Sequence, residues 1–164
     1  PDGSDYRRVN PKGYVPLLEL DDGTRLAETQ VILQYLADRK PGTLAPPAGT
    51  AERWRLMEWL AFLSAEVHKG FGPLWNPQTP PEVRERAVQA LGTRFEYLAQ
   101  TLAREPWLMG QQFSIADAYL FVLLNWTRLH KVDLSPWPAL KEFQARVAAR
   151  PAVQATLRTE GFLK

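Results

Sequence analysis

His68-Lys69 sets a titratable imidazole beside a fixed cation at the end of a long helical stretch. A cation so placed can bind and stabilise a thiolate, and the imidazole can hydrogen-bond the same sulfur. A local use is also open: the histidine packs at the helix end while the lysine offsets the helix dipole. The segment Asn10-Pro11-Lys12-Gly13-Tyr14-Val15-Pro16-Leu17 puts a proline at a strand start, where its missing N–H forfeits no ladder bond. A cis Val15-Pro16 bond would turn the Val15 N–H and C=O outward, to pair with an extended peptide as an added strand does. Local sequence alone favours the trans form, since cis accounts for only about 5–6% of X-Pro bonds. Glu28-Thr29 opens a helix, where free N–H groups bind a carboxylate, the Thr29 hydroxyl adds a donor, and Glu28 can hold an ammonium group. Local sequence alone favours a plain helix cap for the same two residues, with Thr29 bonded to its own backbone. Trp126 suits the wall of an apolar pocket or a place in the core. Asp117 is fully explained by capping.

These residues need elements to hold them. Val15 to Leu20 is a short extended run, Asp21-Asp22-Gly23-Thr24 a turn, and Arg25-Leu26 a second strand, which together predict a β-hairpin. Glu28 to Ala37 has helical spacing, with Val31, Ile32, Tyr35 and Leu36 on one face, and Pro41-Gly42 stops it. Residues 43–50, with Pro46, Pro47 and Gly49, read as a linker between a first unit at 1–42 and a second at 51–164. The second unit reads as helices throughout. Residues 52 to about 72 carry two stripes, one of Leu56, Leu60, Leu63 and Val67, the other of Trp54, Met57, Ala61, Ala65 and His68, so this helix should pack against two neighbours. Residues 81–104 repeat Val88, Leu91, Phe95, Leu98 and Leu102. Ser114-Ile115-Ala116-Asp117 is a capping box with Asp in the place of Glu, and the helix it starts is apolar nearly all round, the mark of a bundle centre. Residues 138–149 and 151–158 make two further helices, each with a proline in its first turn. A hairpin with one helix is too little to fold alone, and its open edge would invite association, so further strands are expected ahead of residue 1.

Composition narrows the function classes. The 164 residues are 45% apolar and 23% charged, ordinary for a globular protein, and the net charge is +2 with no run of like charges. That leaves nucleic-acid binding without a basic stripe. There is no cysteine and there are two histidines, so disulfides, a cysteine nucleophile and a metal site within these residues find no support. The most apolar stretch, Ile115 to Leu124, is half the roughly 20 residues a membrane span needs. The expectation is a soluble cytoplasmic protein, with the missing initial Met pointing to a processed, truncated or partly observed chain.

The order of these pieces resembles the glutathione transferase superfamily, and in detail its bacterial beta class. The resemblance is carried by Val9-Asn10-Pro11-Lys12-Gly13-Tyr14-Val15-Pro16, Leu20-Asp21-Asp22-Gly23, Gln34-Tyr35-Leu36-Ala37-Asp38, Glu66-Val67-His68-Lys69-Gly70-Phe71, Ile115-Ala116-Asp117-Ala118-Tyr119-Leu120-Phe121 and Glu160-Gly161, which span nearly the whole chain. It implies an α/β thioredoxin-like N-terminal domain, partial here as a hairpin plus helix, followed by an all-α helical bundle, in a homodimer. It implies an enzyme of detoxification that uses glutathione as co-substrate, without metal, against small hydrophobic electrophiles. Tyr14, Val15 and a cis Pro16 would bind the cysteinyl unit, Glu28 and Thr29 the γ-glutamyl end, His68 and Lys69 the sulfur, and Phe71 and Trp126 the electrophile. Ser114 and Asp117 would serve folding. Two departures stand out. The family's first strand, first helix and second strand, with a cysteine near the sulfur, would lie ahead of residue 1. Ala61 and Ala65 stand where family members often carry polar residues that touch glutathione across the dimer. The competing reading is a truncated or non-catalytic binding or scaffold module of the same ancestry, against which the intact set Val15-Pro16, Glu28-Thr29 and His68-Lys69 argues.

Overall fold

The short apolar run Leu17-Leu18 and a turn built on Gly23 produce the only strand pair among residues 3–163, the part described by the computed structural model. Strand β1 (Leu17–Glu19) pairs antiparallel with β2 (Arg25–Ala27) in the register Leu17↔Ala27, Leu18↔Leu26, Glu19↔Arg25. The turn closes through Leu20 N–H to Thr24 O at 2.8 Å, and the Asp22 carboxylate accepts from Thr24 N–H at 2.8 Å. Gly23 takes φ +82°, a left-handed conformation costly for other residues. The Val15-Pro16 bond ahead of β1 is cis, against the local expectation and in line with the resemblance.

Helix α1 (Thr29–Asp38) follows directly. Its buried side is Ile32 and Ala37, with Leu33 packed against the core, while Val31 is 42% and Leu36 50% exposed. The expected face is therefore rotated: α1 meets both β2 and the bundle, and only residues turned to that junction lose water. The connection to the bundle is pinned from both ends. Arg53, 6% exposed, gives two hydrogen bonds to the Asp38 carboxylate at 2.7 and 2.8 Å and a third to Pro46 O at 3.1 Å. Ile115 N–H donates to Leu44 O at 3.0 Å.

Helix α2 (Ala51–Phe62) starts on Thr50, whose hydroxyl accepts from Arg53 N–H, and passes without a break into a π-helical segment, Leu63–His68. Its stripe of Leu56, Leu60, Leu63 and Val67 is completely buried. The second stripe is not: Trp54 is 62% exposed, Met57 38%, and Ala61 and Ala65 are exposed too. The helical backbone runs on to residue 70, close to the expected end near 72, with the π segment inside it, and after a turn at Phe71 the short helix α3 (Gly72–Trp75) follows. Gly70 lets this turn approach helix α4 (Pro81–Leu102), since a Cβ there would lie 2.7 Å from Leu91 Cδ2. In α4, Leu91, Phe95, Leu98 and Leu102 are buried, with Ala87 where Val88 was expected.

Helix α5 (Ile115–His130) is the bundle centre and contacts the π segment, α1, α2 and α6. Its capping box is present: Ser114 Oγ accepts from Ala116 N–H, and the Asp117 carboxylate accepts from Ser114 N–H at 2.8 Å, Ser114 Oγ–H at 2.9 Å and Leu108 N–H at 2.8 Å. Helix α6 (Pro138–Ala148) buries Leu140, Phe143 and Val147. Helix α7 (Pro151–Thr159) lies outside, with Val153 and Leu157 partly buried against the core.

Candidate active site

The π segment delivers His68 to α5. Its wider turn keeps Leu63 and Val67 in the core and leaves His68 half-buried, with Nδ1 2.6 Å from Tyr119 Oη. The imidazole also meets the Trp126 ring edge-on at 4.8 Å. Burial, and then the charge of Lys69, push the His68 pKa below its ordinary value, so the ring is neutral at physiological pH. Lys69, exposed beside it, is left to carry the positive charge.

Glu28 is the joint between β2 and α1. Its backbone has φ 72°, outside the range comfortable for a side-chain-bearing residue, while its C=O accepts the first helical bonds from Val31 and Ile32 N–H at 3.0 Å. Its side chain makes no cap to its own helix. It lies instead against Lys12 Nζ at 2.9 Å, and that hydrogen bond and charge, with Lys69 adding to them, hold the carboxyl below the usual range. Glu28 thus pairs with a cation from the Asn10–Pro16 loop and feels the charge of a second, Lys69, just after the π segment. Thr29, half-buried, is the first residue of α1.

The third piece is the loop before β1. Tyr14 is 73% and Val15 80% exposed, and no group among the described residues hydrogen-bonds the Val15 main chain. The loop is held from behind: Asn10, 5% exposed, donates from Nδ2 to Tyr14 O at 2.6 Å, and Tyr6 Oη–H donates to the same oxygen at 3.2 Å. The Val15 backbone therefore stands free while its neighbour is anchored. Exposed Pro16 completes this edge.

An aromatic wall extends from His68. Trp126, half-buried, packs on Phe71 at 5.5 Å and on Trp75 at 5.2 Å, and Trp75 meets His130 at 4.4 Å. Phe71 has no exposed surface, so it backs Trp126 and has no face to offer a ligand. Trp75, 48% exposed, holds the outer position. Burial and nearby Arg84 lower the His130 pKa. Among the described residues no group of three or more His, Asp or Glu is placed to hold a metal ion.

Four residues of this arrangement were missed in the sequence. Lys12 and Asn10 lie inside a cluster valued only for Val15-Pro16, and their placement depends on how that loop folds. Tyr119 is hidden in a helix apolar nearly all round, where a phenol reads as core. Trp75 follows the break after the π segment, which periodicity does not reveal.

Two family models match the chain: the N-terminal domain of glutathione S-transferases over residues 1–39 and the C-terminal domain over residues 62–151. The glutathione S-transferase GstA of Escherichia coli O157:H7 is 44% identical over 160 residues, which cover 97% of this chain and 80% of that protein. The crystal structure of a glutathione transferase from Methylococcus capsulatus superposes with a TM-score of 0.95 at 54% identity, covering 98% of this chain and 80% of that one. A sphingomonad glutathione S-transferase complexed with glutathione gives a TM-score of 0.91 at 39% identity, covering 98% and 81%.

Proposed function

Because this chain belongs to the glutathione S-transferase family, we propose that Val15, the Glu28–Thr29 helix start and the His68–Lys69 pair together hold glutathione and present its sulfur to an apolar electrophile. The protein is a transferase with glutathione as its co-substrate, a reading favoured over a scaffold module of the same ancestry. The free N–H and C=O of Val15, beside Tyr14 and Pro16, pair with the cysteinyl unit. Glu28 takes the γ-glutamyl ammonium, and Thr29 with the N-terminal amides of α1 takes its carboxylate. Lys69 stabilises the thiolate by charge and His68 by a hydrogen bond. The thiolate then forms the S–C bond as the leaving group departs with its electron pair. Orientation and a lowered thiol pKa supply the rate. Trp126 and Trp75 face the electrophile, with Phe71 as backing.

One observation carries this reading. The Glu28 carboxylate makes no cap to its own helix but pairs with Lys12 at 2.9 Å, and the charge of Lys69 acts on it from the bundle. The test is conjugation of glutathione to an activated aryl halide by the protein and its variants. Glu28→Gln should raise the KM for glutathione, and Lys69→Met should raise the pKa of the bound thiol. Unchanged values in both would sink the assignment.

The division into 1–42, 43–50 and 51–164 and a cytoplasmic location belong to the same reading. So does a homodimer, supported by the exposed flank of α2 and α4. There Arg55, Glu58, Trp59, Phe62 and Tyr97 line a depression of about 540 Å³ beside exposed Trp54 and Met57. Sedimentation at micromolar concentration should give the mass of two copies, and a single-copy mass would refute it.

A further inference from the structure

The hydrogen bond between His68 and Tyr119 has a direction, and the surroundings of the phenol decide it. Tyr119 lies on α5, 5% exposed, with Oη 2.6 Å from His68 Nδ1. A phenol has one proton to give, and a neutral imidazole nitrogen either gives one or accepts one. If Nδ1–H were the donor, the Tyr119 proton would need another acceptor in a place nearly closed to water. Among the described residues the hydrogen bond made by the Tyr119 hydroxyl is the one to His68, so Nδ1 is the acceptor at hand for the phenol proton, and with that choice the buried donor has a partner. The π segment makes the arrangement possible, because it brings His68 to Tyr119 of α5.

We propose that Tyr119 is a positioning residue that fixes His68 as the Nε2–H tautomer, so that His68 gives a hydrogen bond to the glutathione sulfur and does not remove its proton. The inference rests on the reading of His68 as a neighbour of that sulfur. It divides the labour at the site: Lys69 supplies charge, His68 supplies a directed donor, and the thiol proton passes to water. A neutral imidazole whose Nδ1 already accepts a hydrogen bond has its Nε2 proton free to give.

Long-range ¹⁵N–¹H correlation spectra of the labelled protein read the tautomer directly, with no substitution. Wild type should show protonated Nε2 and bare Nδ1 at His68. Tyr119→Phe keeps the ring and removes the proton, and it should give a mixture of tautomers. In the same variant, the thiolate absorbance of bound glutathione should titrate at higher pH and kcat should fall about tenfold, the lower end of what outer partners of a site residue contribute. The KM for glutathione should change little. His68→Gln, whose amide can donate from near the Nε2 position, should retain more activity than His68→Asn. Protonated Nδ1 in wild type, or a Tyr119→Phe protein with unchanged tautomer and thiol titration, would overturn the proposal. If the tautomer is as stated but neither His68→Gln nor His68→Ala moves the thiol titration, the sulfur contact is overturned, and with it the role given to His68 above.

Discussion

Asp117→Ala should be among the most destabilising single changes in this protein while leaving its site intact. Asp117 has no exposed surface, and its two oxygens accept from Leu108 N–H, Ser114 N–H and Ser114 Oγ–H. The hydroxyl can turn to another acceptor, but the two amides cannot. Each buried amide left alone costs about 1–3 kcal/mol, so the loss lies at about 2–6 kcal/mol. An opposing effect reduces it: burial raises the Asp117 pKa despite the hydrogen bonds, so the native state is already penalised for holding that charge. A net cost of about 3 kcal/mol follows. Asp117→Asn keeps one acceptor oxygen and sets an NH₂ against the remaining donor, for a cost of about 1–2 kcal/mol. Urea denaturation of the three proteins measures both values. In a thermal scan the alanine variant should melt about 6–12 °C lower, at about 2–4 °C per kcal/mol for a chain of this size. The KM for glutathione of the folded fraction should be unchanged. An alanine variant within about 0.5 kcal/mol of wild type, or an asparagine variant worse than alanine, would refute the hydrogen-bond account.

Gly70→Ala should cost about 1–3 kcal/mol by overpacking, because its Cβ would lie 2.7 Å from Leu91 Cδ2, and combining it with Leu91→Ala should give less than the sum of the two. Additive costs in denaturant would show that this close approach is not the constraint. His68 and His130 both have native pKa values below their ordinary one, so the unfolded chain binds protons more readily. Their contribution to stability is full above the unfolded value and is lost as pH falls through the native values. Stability measured in urea should therefore decline on acidification from neutrality, and a His68→Gln, His130→Gln double variant should decline less steeply. Phe71→Ala should cost about 3–5 kcal/mol of stability, whereas Trp75→Ala should leave stability nearly unchanged and raise the KM for a hydrophobic electrophile. A Phe71→Ala protein of full stability would contradict its burial.

The bundle was legible because its elements carry their own signals. The capping box at Ser114–Asp117, the first-turn prolines at Pro138 and Pro151 and the run of Leu91, Phe95, Leu98 and Leu102 depend on local chemistry and helical period, and they appear where the sequence puts them. The failures share one cause. Val31, Leu36, Trp54, Met57 and Val88 have core chemistry and suitable spacing, yet they are exposed, because burial depends on which neighbour an element meets and not on the element alone. The helix expected over residues 52–72 runs to residue 70, but the π segment inside it leaves no periodic signal, and it lies where His68 meets Tyr119 of α5, a partner about fifty positions away in the chain.

The same division holds at the site. The residue types at Val15, Glu28, Thr29, His68, Lys69 and Trp126 could be named in the sequence, since each is a chemical group at a recognisable point: a strand start, a helix start or a helix end. Their partners could not. Lys12 lies sixteen positions from Glu28 and Tyr119 fifty-one from His68, and a hydrogen bond of 2.9 or 2.6 Å at that separation leaves no periodic trace. Phe71 and Trp75 are both aromatic and four positions apart, yet the first is sealed and the second open. The sequence by itself determined which groups are available and which segments are helical, because those follow from side-chain chemistry and local backbone preference. Only the tertiary structure decided which groups meet and which face water, because these depend on distances set by packing the whole chain.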